Sequence, residues 1–329
     1  MEAKLQALRD RLREIGDLSA AIAVLRWDQS TYMPPRGAEA RGRQIGMMGK
    51  MAHHMRVDPE LGQLLEDLSG WADGLPKGDL NKDLLRVATR NYERAARVPA
   101  EFVSRLLENG TASYHAWAQA RPADDFSKVA PYLERTVELS QEMAGFYPNE
   151  GHLADPLIDA SDYGMTVASV RTLFAGLRKE LSPLVQAICD KPEPETSFLY
   201  KHYDADTQIK FGLATAQRLG FDLERGRLDL THHPYMTKFS LNDVRITTNI
   251  RDNDVTDGFF STIHETGHAL YELGLDPALE GTPLAEGASA GVHESQSRLW
   301  ENIVGRSKPF WHHFYPRLQA AFPTQLEGV

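Results

Sequence analysis

Leu5, Leu8, Leu12, Ile15, Leu18, Ile22 and Leu25 recur at intervals of three and four, the spacing that gathers apolar side chains on one face of an α-helix. The pattern predicts a long amphipathic helix ending near Trp27, because Pro34 and Pro35 cannot continue it. A second helix is expected from about Ala38, and helical spacing then covers roughly 38–55, 59–70, 80–95, 99–121, 127–147, 167–190 and 205–219. Pro, Gly, Asp and Asn clusters separate these segments, and no fixed period relates them. An irregular helical array over 1–225 is therefore expected rather than a solenoid of repeats.

Strand-like alternation is confined to 226–250, where Val244, Ile246, Thr248 and Ile250 alternate with Arg245, Thr247 and Asn249. A small sheet is expected there, its alternating strand serving as an edge on which an extended peptide backbone could lie. Helical spacing then resumes in DGFFSTIHETGHALYELGL over 257–275, with Phe259, Ile263, Leu270 and Leu273 on one face. Thr256 or Asp257 is placed to cap its start and Gly274 to end it. The fold class is thus mainly α with one small β-sheet, read as a single domain over 1–329 in which 226–329 carries the sheet and the site helices.

With 329 residues and 42% hydrophobic content, the chain can bury a substantial core. A formal charge of -10 argues against nucleic acid or an anionic membrane as partner. No apolar run approaches transmembrane length, and the charged, amphipathic first residues lack the apolar centre of a secretory signal. Cys189 is the single cysteine, so neither an internal disulfide nor a thiolate metal cluster can form. A cytoplasmic protein is the expectation, in which the Asn109-Gly110-Thr111 sequon carries no meaning.

The helix over 257–275 is where chemistry enters. His264 and His268, four residues apart, project from one helical face and can reach one metal ion, the arrangement HExxH. Glu265 leans to the side of that face, placed to take a proton from a water the ion activates. A catalytic zinc commonly has three protein ligands. Tyr271 and Leu275 stand where HExxHxxGxxH needs glycine and histidine, so a carboxylate must be the third. Glu294 is the best placed, on a second helix ending near Gly305, with Ala290 and Gly291 on its face expected to permit close approach. Glu272, Glu280, Glu286 and His293 compete, Glu286 above all if 287–291 is loop. The doublets His53-His54 and His312-His313 diverge around their helices and are assigned no site.

These motifs resemble the carboxypeptidase Taq family of metallocarboxypeptidases. HETGH at 264–268, HESQSRLWEN at 293–302, DVRITT at 243–248 and His233-Pro234-Tyr235 in place of an HPF motif carry the likeness, which extends back through GRLD at 226–229 and RWDQSTYMPP at 26–35. The resemblance implies His264, His268 and Glu294 as ligands of one divalent ion, zinc foremost with cobalt or manganese as alternatives, and Glu265 as the base. It further implies a cleft-containing helical fold similar to neurolysin and angiotensin-converting enzyme, a homodimer, and release of single residues from the C-termini of peptides. His233 and Arg245 become candidates for binding substrate, and Asp243 for holding a ligand histidine.

Tyr235 departs from the family's phenylalanine, adding a hydroxyl that needs a partner. The family's IRxxAD and GxxQDxHW motifs are absent, and with them the arginine thought to hold a substrate's terminal carboxylate. The expectation is of a C-terminally incomplete member that exposes apolar surface and associates readily. Two other functions stay open at this level: an oligopeptidase or endopeptidase of the same helical-cleft class, and a metal-binding scaffold without activity.

Overall fold

The computed structural model describes residues 1–329. Nine helices precede the sheet: α1 (Glu2–Thr31), α2 (Ala38–Arg56), α3 (Pro59–Asp73), α4 (Leu80–Ala96), α5 (Ala100–Ala120), α6 (Ala130–Gly145), α7 (Asp155–Ser161), α8 (Val167–Cys189) and α9 (Ala205–Leu219). The seven-residue α7 was not foreseen, being too short for a periodic signature. Helix α1 runs one turn beyond Trp27. Ser30 and Thr31 bond through their hydroxyls to the Trp27 carbonyl, the Tyr32 N–H reaches Asp28, and Pro34 ends the run.

Two large cores result. Leu8 and Ile15 of α1 meet Leu61, Leu65 and Leu68 of α3 and Leu85 of α4. The second joins Phe211 of α9 to Val255, Phe259 and Ile263 of α10 (Val255–Leu273) and to Phe310, Phe314 and Leu318 of α12 (Lys308–Ala321). This second core seats the helix that carries HETGH. Helix α8 enters neither: it buries no residue, and Leu173, Phe174, Leu177, Leu181, Leu184, Val185 and Ile188 form an exposed stripe.

The sheet has three strands, β1 (Gly226–Leu230), β2 (Met236–Ser240) and β3 (Asp243–Thr248), in the order β1-β3-β2. β3 pairs parallel with β1 and antiparallel with β2. The alternating strand is therefore central, and the expectation that it offers a free edge is corrected: both its flanks are occupied, and β2 is the edge beside α10. Alternation survives because the two faces differ. Val244 and Ile246 pack on Ala216 of α9 and Ala269 of α10, whereas Arg245 turns toward α1.

Candidate metal centre

Helix α10 begins two residues earlier than the sequence suggested. Asp254 caps it, accepting from the Thr256 N–H at 2.8 Å, and Gly274 follows its last residue as expected. Phe259 and Ile263 face the aromatic core, which turns His264, Glu265 and His268 toward the sheet and toward α11 (Ala290–Arg298). The close approach of α10 and α11 is made by Gly267. A Cβ there would lie 2.7 Å from the Ser297 Cα and 2.8 Å from the Gln296 carbonyl oxygen. The expected small pair does not make this contact, since Gly291 faces α7 and donates its N–H to Asp162 at 3.1 Å.

At that crossing the His264 Nε2 stands 3.6 Å and the His268 Nε2 3.4 Å from the Glu294 Oε2. The three ligand atoms lie within 4.8 Å of one another. These gaps exceed an ordinary hydrogen bond. They match the separation of roughly 3.4 Å between neighbouring donors around a tetrahedral ion with bonds of about 2.1 Å. Two imidazoles and a carboxylate arranged this way fit zinc, and equally cobalt or manganese. The other Glu294 oxygen is held by the Arg298 Nε at 2.8 Å. Burial raises the Glu294 carboxyl, but Arg298, His264 and Ser297 together outweigh it and leave it below the usual carboxylate value.

Each histidine is oriented differently. The His264 Nδ1 bonds Glu301 at 2.9 Å, and Glu301 is held in turn by Arg306 at 2.9 Å. Glu301 sits in the π-helical turn 299–304 that extends α11. It was missed in the sequence, although its seven-residue spacing from Glu294 puts both on one helical face. The His268 ring stacks on His293 with centroids 4.5 Å apart, and its buried Nδ1 has no hydrogen-bond partner. His293 bonds Glu272 at 3.0 Å, and Glu272 pairs with Lys238 of β2 at 2.7 Å.

The competing ligands are accounted for by this network. Glu272 and His293 bond each other, Glu280 accepts from the Leu241 N–H, and Glu286 sits in the loop before α11 and pairs with Lys238 at 3.4 Å. Asp243, expected to hold a ligand histidine, instead pairs with Arg245 through two bonds of 2.8 Å. Arg245 does not reach the cleft either: its guanidinium lies between Trp27 and Phe239, 4.4 Å and 4.8 Å from the ring centroids. It fastens α1 to the sheet, because a planar cation on two aromatic faces is satisfied without substrate. His233 does lie at the site, lining a polar cleft with His264, Glu265, Glu301 and Arg306.

Glu265 is 6% exposed. Burial, reinforced by Glu294, pushes its carboxyl up to about 8 against the opposing hydrogen bond from the Met236 backbone. A cation beside it would act in the opposite sense. Burial and the neighbouring His293 and His264 take His268 down to about 4, which leaves its ring neutral and able to ligate at neutral pH.

Comparison with known proteins places the chain in one family. The family model described as carboxypeptidase Taq (M32) metallopeptidase matches residues 7–329. The thermostable carboxypeptidase 1 of Thermus thermophilus is 38% identical over 98% of this chain and 65% of its own length. Carboxypeptidase 1 of Bacillus subtilis is 36% identical over 97% of this chain and 64% of its own. The M32 carboxypeptidase of Deinococcus radiodurans R1, a crystal structure, superposes with a TM-score of 0.88 at 43% identity, over 99% of this chain and 65% of that one. The chain thus spans a little under two thirds of the length of these relatives.

Proposed function

The chain belongs to the carboxypeptidase Taq (M32) metallopeptidase family, and from that premise we propose that it is a metal-dependent carboxypeptidase, releasing single residues from the C-termini of peptides. The observation that carries the reading is the Glu294 carboxylate oxygen set 3.4–3.6 Å from both imidazoles. His264, His268 and Glu294 would hold one divalent ion, zinc before cobalt or manganese. Such an ion supplies Lewis-acid polarisation of the scissile carbonyl and acidifies the attacking water from about 15.7 toward about 7. Glu265 takes the proton from that water and returns it to the departing amine. Glu301 fixes the His264 ring by accepting from Nδ1, which leaves Nε2 free to ligate.

Substrate would lie along β2. Tyr235 spends its main-chain N–H and carbonyl on Thr247, so the alternation of an antiparallel pair leaves Met236 and Lys238 with their backbone groups turned outward. The Met236 N–H is directed at Glu265, so the part of this edge left open, at Lys238, begins beside the base. A peptide paired antiparallel to β2 would point its C-terminus at the ion. His233 is the substrate-binding candidate that the cleft retains. A homodimer and a cytoplasmic location belong to the same proposal, the first from the family resemblance and the second consistent with a lone, unpaired cysteine.

The test uses the 329-residue chain loaded with zinc. A blocked dipeptide with a free C-terminal carboxylate should be hydrolysed and an end-blocked peptide should not; cleavage of the latter would mark an endopeptidase. Metal measured by plasma spectrometry after dialysis should be stoichiometric in the parent and lost in Glu294→Ala. Equal metal in both would remove Glu294 from the ligand set.

A further inference from the structure

The two histidines of the site are restrained in different ways. The His264 Nδ1 is tied to Glu301, and a hydrogen bond to the far nitrogen is the usual device for fixing a ligand imidazole. The buried Nδ1 of His268 has no such partner. The main chain of His293 is directed at the same ring, but not in hydrogen-bonding geometry. The outer torsion of a histidine side chain is soft, and turning it would carry the His268 Nε2 away from Glu294. Another contact must hold the ring.

That contact is the face of His293. The two rings stack with centroids 4.5 Å apart and planes 22° from parallel, while the His264 ring meets the other side of the site edge-on at 5.0 Å from His268. A stack restrains its partner only if it cannot itself move, and His293 is confined on three sides. Its Nε2 donates to Glu272 at 3.0 Å, and the Tyr271 ring stands edge-on at 5.4 Å. Gly287 lies so close that a Cβ there would fall 2.7 Å from the His293 Cδ2. Glu272 is in turn held by the Lys238 Nζ at 2.7 Å, the two side chains being 5% and 13% exposed. A buried ion pair of this kind adds little net stability, because desolvation offsets its attraction. What it supplies here is a fixed position, carried from β2 through α10 and α11 to a metal ligand. We propose that His293 is a positioning residue: its imidazole, locked by Glu272 and Lys238, sets the orientation of His268 and with it the affinity of the site for a divalent ion. The proposal rests on the metal-centre reading for the ion and on the ring stack for the residue.

Zinc affinity, measured by chelator competition, and the visible absorption of the cobalt-loaded chain test it. In His293→Ala zinc should bind about 10–100-fold more weakly, the loss that follows when the support of a ligand is removed, and the cobalt band should shift. His293→Phe, which keeps a ring face against His268 but cannot bond Glu272, should restore most of the affinity; a phenylalanine variant as weak as the alanine one overturns the proposal. A role only in filling space would lower the denaturation midpoint of His293→Ala and leave its zinc affinity and cobalt band as in the parent, and that result overturns it as well. Should the alanine variant fail to fold, the metal-free parent with labelled histidines decides. Nuclear Overhauser contacts between the ring protons of His268 and His293 must appear, and their absence overturns the proposal. Zinc lost in Glu294→Ala but held normally in His293→Ala would sink this proposal alone, while a parent that shows the ring contacts and retains no zinc would sink the metal reading alone.

Discussion

Glu265 and His268 carry opposite consequences for stability in the metal-free chain. His268 is lowered from 6.5 to about 4, so on acidification the unfolded chain takes up a proton before the folded one, and stability falls below pH 6.5. Glu265 is raised from 4.5 to about 8, so the folded chain keeps a proton that the unfolded chain loses, and stability falls as pH rises from 4.5 to 8. Between 4.5 and 6.5 the two slopes oppose each other, and from 6.5 to 8 only Glu265 acts. The metal-free chain should therefore lose denaturant resistance from pH 6.5 to 8, and Glu265→Gln should abolish that slope and stabilise it at pH 8 by on the order of a few kcal/mol. With zinc bound, the same variant should retain metal and lose hydrolysis by about 10²–10⁴-fold. Glu301→Ala should weaken zinc about 10–100-fold, read by chelator competition, because the His264 ring loses its anchor. At this scale the sequence exposed His264, Glu265 and His268, since HExxH is a local spacing. It concealed the fates of Asp243 and Arg245, whose partners are each other, Trp27 and Phe239. Tyr235 shows the same limit: its extra hydroxyl finds Ser30 at 2.5 Å, a residue 205 positions away.

The helices formed close to where periodicity placed them, α9 over the residues foreseen and α1 four residues longer. Their contacts were less legible. Ala290 and Gly291 looked suited to the crossing of α10 and α11, but Gly267 occupies it. Gly267→Ala should push the helices apart, because the atoms it would strike at 2.7–2.8 Å are backbone and cannot swing aside. The expected loss is about 1–3 kcal/mol in chemical denaturation, with weakened zinc binding, since Glu294 rides on the displaced helix. Unaltered zinc affinity would show that the crossing does not set the ligand geometry. The π turn at 299–304 was likewise invisible beforehand, because the widened turn reflects packing rather than composition.

Across the whole molecule, the unburied stripe of α8 stands apart from the two cores. Seven large apolar side chains on one exposed helix form a patch that water does not favour. The chain should bind a hydrophobic dye and associate in light scattering as concentration rises, and Leu177→Glu with Leu184→Glu should reduce both. A monodisperse monomer that leaves the dye dark would contradict this. The sheet supplies the other long-range lesson. Its alternating strand read as an edge, yet pairing with β1, which precedes it in the chain, and with β2 made it the centre.

What the amino-acid order determined by itself was whatever depends on neighbours within a helical turn or two: helix positions, the HETGH face and Gly274 as a stop. The family likeness then singled out Glu294, which spacing alone had only preferred. Tertiary structure decided which strand kept a free edge, which glycine admitted the crossing helix, which carboxylate steadied His264, and that Arg306 rather than Arg245 faces the cleft. These choices turn on distances between segments far apart in the chain, and such distances are set by packing two cores and a sheet at once, which no local pattern encodes.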